Sequence, residues 1–157
     1  MMPKFLTRTA LPALALLVLA PGFARAQALT LEQAKTAMDA AEAEARRNGW
    51  NLTIVVASAD GVPMYLRRMD SASTRSYDIA MGKIRTAITA RMATGAYGQA
   101  LAAGQVRDTI PNGITFEGGY PLMRSGELIG AMSASGARGS EDAQAVRAGM
   151  AAIGIQP

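Results

Sequence analysis

Gly118-Gly119-Tyr120-Pro121-Leu122-Met123-Arg124-Ser125-Gly126-Glu127-Leu128-Ile129-Gly130-Ala131-Met132-Ser133-Ala134-Ser135-Gly136 is the stretch whose reading decides the fold. It reads as a glycine turn, a strand over Tyr120 to Arg124, a tight Ser125-Gly126 turn and a second strand over Glu127 to Ser135. Strands joined by so short a turn pair antiparallel. The second strand ends in a small-residue loop at Gly136, where a ligand can approach the backbone because glycine has no side chain in the way. Ser140 then offers an N-cap, with Glu141 and Asp142 in the first turn where the helix dipole favours acids, and the last helix runs to about Ile153.

Upstream, Ile114 to Glu117 reads as a further short strand after a connecting segment over Gly104 to Gly113. Thr30-Leu31-Glu32-Gln33 has the spacing of a capping box, so a helix follows to about Asn48, stopped by Asn48-Gly49. Leu31, Ala34, Met38, Ala41 and Ala45 share one of its faces. Leu52 to Ser58 is a β-branched apolar run, Ala59-Asp60-Gly61 a hairpin turn, and Val62 to Met69 the returning strand. Ser71-Ala72-Ser73 offers the N-cap of a long helix to about Ala93, with Tyr77, Ala80, Met81, Ile84, Ala87, Ile88 and Met92 as its apolar stripe. Gly95 and Gly98 interrupt the pattern before a short helix around Gln99 to Ala103. The order is helix, two strands, helix, three strands, helix: an α+β sandwich of an antiparallel sheet with helices on its faces.

Residues 1–26 read as a secretory signal peptide: Lys4 and Arg8, an apolar run from Ala10 to Ala20, then Pro21-Gly22 and Ala24-Arg25-Ala26. The apolar run is shorter than the roughly 20 residues that span a bilayer. Cleavage falls near Ala26, with Ala28 the lesser alternative, and leaves one domain over residues 27–157. The expected location is the periplasm or the exterior, with no stable membrane insertion after cleavage. The leader carries three of the 16 basic residues and none of the 12 acidic ones, so the processed chain is near +1 and gives no electrostatic case for nucleic acid. The chain has no cysteine and no histidine. Disulfides, thiolate nucleophiles, Cys or His zinc sites, Ser-His-Asp triads and the commonest haem ligand are thereby excluded.

The motifs each carry two readings. Arg67-Arg68-Met69-Asp70 stands where the second strand meets the long helix. There Arg68, Arg75 and Lys83 either converge as a cationic grip on an acidic ligand or form a solvated edge paired with Asp70 and Asp78. Gly118-Gly119 with Gly136 either cradle a ligand beside the last helix or serve hairpin geometry; the spacing matches neither a P-loop nor a dinucleotide fingerprint. Met69, Met81, Met92 and Met132 offer thioethers to iron, copper or an apolar ligand, or fill the core. Tyr65, Tyr77, Tyr97 and Tyr120 offer phenolates or general acids. For an enzyme, the acid–base candidates are Lys83, Tyr77, Asp78 and Asp142, which nothing in their spacing brings together. Glu42, Glu44, Glu117, Glu141 and Asp142 are hard-cation candidates without EF-hand spacing.

Taken in order, these residues resemble the GlcG/HbpS-like family, a haem-associated domain also found at the C-terminus of PduO-type cobalamin adenosyltransferases. The matching positions are Val55-Val56 with Asp60-Gly61, Arg68-Met69-Asp70, then Ser76, Ala80 and Lys83 with Thr86-Ala87. They continue with Gly118-Gly119, Pro121-Leu122, Gly126, Gly130-Ala131, Ser135-Gly136 and Asp142, so the match runs from about Leu29 to Ile153. The resemblance implies a five-stranded antiparallel sheet flanked by helices, similar to profilin or roadblock domains. It implies homo-oligomers and, in several members, binding or degradation of haem. The chain departs from the haem-binding members in having no histidine to ligate iron; Tyr77, Met69 and Met81 are the remaining metal candidates.

The expectation is an exported haem- or tetrapyrrole-binding protein in haem or iron handling or sensing, a binding protein rather than an enzyme, with non-His ligation. The ligand would meet Arg68, Arg75, Tyr77, Lys83, Gly118, Gly119, Pro121, Ser135 and Gly136. The alternative is a non-haem module that binds a small organic acid, accessory to a periplasmic oxidation pathway.

Overall fold

The computed structural model describes residues 27–107 and 109–156. The leader read over residues 1–26 lies outside them. The described chain forms α1 (Leu31–Arg47), β1 (Thr53–Ser58), β2 (Pro63–Arg68), α2 (Arg75–Ala90), α3 (Thr94–Ala102), β3 (Gly119–Arg124), β4 (Glu127–Ser135) and α4 (Gly139–Ala152). The sheet runs β2-β1-β4-β3, and every pair is antiparallel.

Strand alternation sends side chains to two faces. Ile54, Val56, Met132 and Ala134 point to one face, where they pack with Ala34, Ala37, Met38 and Ala41 of α1 and Ala145, Val146 and Met150 of α4. Val55, Ala57 and Ala131 point to the other, against Ala80, Ile84 and Ala87 of α2. Two helices therefore cover one face, and α2 is the main cover of the other. The small side chains of α1 let α4 come close: a Cβ on Gly149 would stand 2.6 Å from the Ala37 carbonyl oxygen.

The capping box at Thr30 and Gln33 is present, and Gly49 at φ 73 ends α1 with Asn48 as C-cap. Leu31 is 57% exposed, outside the buried stripe that Ala34, Met38, Ala41 and Ala45 do form. The long helix starts later than expected, at Arg75 after Thr74, and it stops at Arg91, whose φ of 52 breaks the helical path. Gly95 and Gly98 do not interrupt; both lie inside α3, because a Cβ on them would strike Glu117 and Thr115. Glu141 accepts from the Arg138 N–H at 2.9 Å and Asp142 from the Ala137 N–H at 3.1 Å, so α4 begins at Gly139 with carboxylates capping it, not Ser140.

The largest correction is strand number. Among the described residues the sheet has four strands, and Ile114 to Glu117 is not one of them. Its backbone bonds to helices instead: the Ile114 N–H donates to Thr86 Oγ1 at 2.9 Å, and the Phe116 carbonyl accepts from Thr94 Oγ1.

At the β2 edge, Arg67 donates to Asp39 and Glu42 of α1. Burial works against ionisation of Glu42, but the hydrogen bonds from Arg67 and Arg46 outweigh it and hold its carboxyl below the ordinary range. A lowered folded value means stability that is present above the unfolded value and lost as pH falls through the folded one. Glu42→Gln is expected to cost about 0.5–1 kcal/mol at pH 7, the scale of a solvent-edge pair. That difference should shrink as pH falls through the folded value of Glu42 and vanish below it, where both side chains are neutral. Urea unfolding at a series of pH values checks this; a gap independent of pH would remove the ion pair as its cause.

Candidate functional site

Two places in the fold gather chemistry. The first is buried. Lys83 is 1% exposed, and its Nζ donates to Asp142 Oδ2 at 2.9 Å and to the Ala134 carbonyl at 2.8 Å. Asp142 takes the Ala137 N–H on its other oxygen. Burial pushes the Lys83 ammonium below the usual lysine range, against the attraction of Asp142. Burial likewise pushes Asp142 above the usual carboxylate range, against the attraction of Lys83. Gly118, at φ 103, closes over the pair; a Cβ there would lie 2.6 Å from Asp142 Cβ and 2.8 Å from Lys83 Nζ. Its carbonyl accepts from the Ala134 N–H at 2.8 Å. On the outer side of Gly118 and Gly119 lies a hollow of 210 Å³, with Glu117, Gln99 and Tyr120 on its walls.

The second place is a trough along the outer flank of α2. A cleft of 570 Å³ is lined by Arg75, Tyr77, Asp78, Ile79, Met81, Arg85 and the 112–114 loop. A smaller hollow of 270 Å³ continues past the shared residues Met81 and Arg85 to Ile84, Ile88, Thr89 and the Asp60-Gly61 turn. Tyr77, Met81 and Arg85 stand one helical turn apart in series, so they form one row. The stripe read as wholly apolar divides here. Ala80, Ile84 and Ala87 are buried on the sheet, whereas Tyr77 is 44% exposed and Met81 and Ile88 are half-buried at the margin. Arg85 donates to the Asn112 carbonyl at 2.9 Å, and Arg75 holds no ion pair among the described residues.

The structure distributes the expected site residues unevenly. Arg75, Tyr77 and Met81 meet in the trough. Lys83 does not join Arg68 and Arg75 in a grip, because it is turned inward to Asp142; Arg68 donates to the Ala72 carbonyl at the end of β2. Gly118 and Gly119 cover the buried pair and rim the outer hollow. Pro121 lies in edge strand β3 opposite Ala131, where its missing N–H is tolerated. Ser135 is buried opposite Thr53, and Gly136 turns the chain against Asn51 and Leu52. None of these three lines the trough. The Met69 sulfur accepts from the Leu52 N–H at 3.4 Å, deep in the first core. Of the acid–base candidates, Lys83 and Asp142 do meet, in the core, while Tyr77 and Asp78 face the cleft. Arg85 was missed as a site residue. Its signal was its position, two helical turns beyond Tyr77.

An unpaired charge at the buried site is expensive. Asp142→Asn leaves the Lys83 ammonium without its counter-charge and is expected to cost about 3–5 kcal/mol. The double change Lys83→Met with Asp142→Leu should recover part of that loss, because no charge remains to desolvate although the Ala137 N–H loses its acceptor. Urea midpoints of the two variants test this; a loss below about 1 kcal/mol in Asp142→Asn would show that the pair carries little of the fold.

Comparison with known proteins agrees with the architecture. A family model described as "Haem degrading protein HbpS-like" matches residues 29–151. Protein GlcG of Escherichia coli K12 is 33% identical over 108 residues, 68% of this chain and 81% of GlcG. The crystal structure of a doubly substituted HbpS from Streptomyces reticuli is 30% identical with a TM-score of 0.76, covering 94% of this chain and 99% of that one. A PduOC–haem complex is 26% identical with a TM-score of 0.77, covering 82% of this chain and 97% of that one. Sequence and fold together place the chain in the GlcG/HbpS-like family.

Proposed function

We propose that this chain is an exported haem- or tetrapyrrole-binding protein, and that the macrocycle lies in the trough along α2. The carrying observation is that the apolar stripe of α2 is only partly buried on the sheet. Tyr77, Met81 and Ile88 stay at the margin, beside Arg75 and Arg85. A ligand with one apolar face and a carboxylate edge fits such a wall, since guanidinium forks suit carboxylates. Asp78 shares the cleft with both arginines, and Asp60 stands at the far end of the trough. The family model and the haem complex of PduOC support haem as the ligand. When bound, haem supplies an iron centre; the chain supplies Arg75 and Arg85 for the propionates and Tyr77, Ile79, Met81 and Ile114 as wall. The role is haem or iron handling or sensing. Its support is that Lys83 and Asp142 bond each other in the core and neither lines the trough. Homo-oligomer formation belongs to the same reading, supported by the exposed Leu66 on edge strand β2 and by the exposed Phe116.

The test is a titration of residues 27–157 with haem. A saturable, shifted Soret band at one haem per chain is expected, and Arg75→Ala with Arg85→Ala should weaken binding about tenfold or more. A broad, non-saturating band would sink the reading. The same two arginines serve a second one, a small organic acid held without iron in an accessory module of a periplasmic oxidation pathway. A thermal-stability rise with small carboxylates but not with haem would select it.

Export has its own check. In a bacterial host expressing the full chain, mass spectrometry of the periplasmic fraction should find a protein that begins at Gln27. An unprocessed chain confined to the cytoplasm would remove the leader from the account.

A further inference from the structure

The trough limits which atoms can reach iron. The chain has no histidine or cysteine. Lys83 is 1% exposed and hydrogen-bonded to Asp142 and Ala134. The Met69 sulfur is taken by the Leu52 N–H, and the Tyr120 hydroxyl receives Arg147 Nη1 at 2.9 Å on the far side of the sheet. Tyr97 is a buried residue of α3 and does not line the trough. Besides the carboxylates of Asp78 and Asp60, the iron donors lining the trough among the described residues are the Tyr77 phenol and the Met81 thioether.

Those two are alternatives. Residues four apart on a helix are neighbours on one face, with Cβ atoms about 5–6 Å apart. Two axial ligands must lie on opposite faces of a macrocycle, so Tyr77 and Met81 of one chain cannot ligate one iron together. Their chemistry then decides between them. A phenolate is a hard, anionic donor suited to ferric iron, whereas a thioether is soft and favours the reduced metal. Arg75 and Arg85 line the same cleft and supply positive charge beside such an anion.

We propose that the Tyr77 phenolate is the chain's axial donor to ferric haem, with Met81 packing against the macrocycle without ligating. This rests on the haem-binding reading above. In the step, an Fe–O(Tyr77) bond replaces an iron-bound water, the phenol proton passes to solvent, and no electron is transferred. The anionic ligand stabilises ferric over ferrous haem, which suits holding the oxidised cofactor better than activating oxygen on it.

The experiment compares the ferric haem complexes of the purified wild-type protein, Tyr77→Phe and Met81→Leu by absorption, electron paramagnetic resonance and resonance Raman spectroscopy. Tyr77 is 44% exposed and its hydroxyl is not needed by either buried cluster, so Tyr77→Phe should fold like the wild type, which circular dichroism verifies. The wild type and Met81→Leu are expected to show tyrosinate–iron vibrations. Tyr77→Phe should lose them, shift the Soret band and bind ferric haem at least tenfold more weakly. A wild-type complex that is saturable but spectrally identical to Tyr77→Phe overturns the ligand and leaves haem binding standing. Loss of the signature in Met81→Leu alone transfers ligation to the thioether. Absence of any saturable complex in the wild type overturns both the ligand and the reading beneath it.

Discussion

The Lys83–Asp142 pair is the constraint on which the rest of this structure turns. It joins the middle of α2 to the first turn of α4, through a sheet strand whose Ala134 carbonyl takes a second Lys83 proton. Asp142 also holds the Ala137 N–H, so the loop between β4 and α4 hangs on the same carboxylate. Removing two charges from water costs several kcal/mol per ion, and mutual attraction with good hydrogen bonds only roughly offsets this. The pair is therefore weak as a source of net stability and strong as a determinant of arrangement. An apolar core tolerates rotation of its helices. An ammonium that must meet one carboxylate and one carbonyl does not.

That restriction sets the roll of α2 about its axis. The Ser76 hydroxyl lies 2.7 Å from Thr53 Oγ1, and Ser133 Oγ donates to the Ala80 carbonyl at 2.9 Å. Together with Lys83, these contacts define a polar inner seam at positions 76, 80 and 83 of the helix, and Ala87 continues its spacing. With that seam facing the sheet, the residues one step around the helix must face the margin. Those are Tyr77 and Met81, with Ile88 further along. The trough is thus a consequence of how α2 is pinned. Gly118 belongs to the same device, because any side chain there would occupy the space of the pair.

Much of this was readable from residue order. The capping box at Thr30, the hairpin at Asp60-Gly61 and the β3–β4 hairpin around Ser125-Gly126 are local, with strong turn or cap chemistry, and they appear where expected. Ile114 to Glu117 has strand composition, yet its N–H and C=O groups go to Thr86 and Thr94, and no local pattern announces a helix as a hydrogen-bond partner. Gly95 and Gly98 read as breakers because spacing cannot distinguish a glycine that ends a helix from one that lets a neighbouring chain approach. Lys83 was partly readable. It falls on the helical spacing of Ser76, Ala80 and Ala87, so its position declared it inward while its charge declared it outward. What sequence cannot supply is the partner 59 residues away that reconciles the two.

The same pair also bears on what the protein does. In an enzyme of this size, a buried lysine beside a carboxylate would be the first place to seek acid–base chemistry. Here Gly118 covers it, Ala134 and Asp142 hold it, and neither side chain lines the trough. What the trough retains is an apolar wall, two guanidinium groups, one phenol and the carboxylates of Asp78 and Asp60. On the proposed reading, those groups would recognise and orient a ligand. The division of labour in α2 is then physical: its inner seam spends the reactive side chains on fixing the helix, and its outer flank keeps those suited to binding.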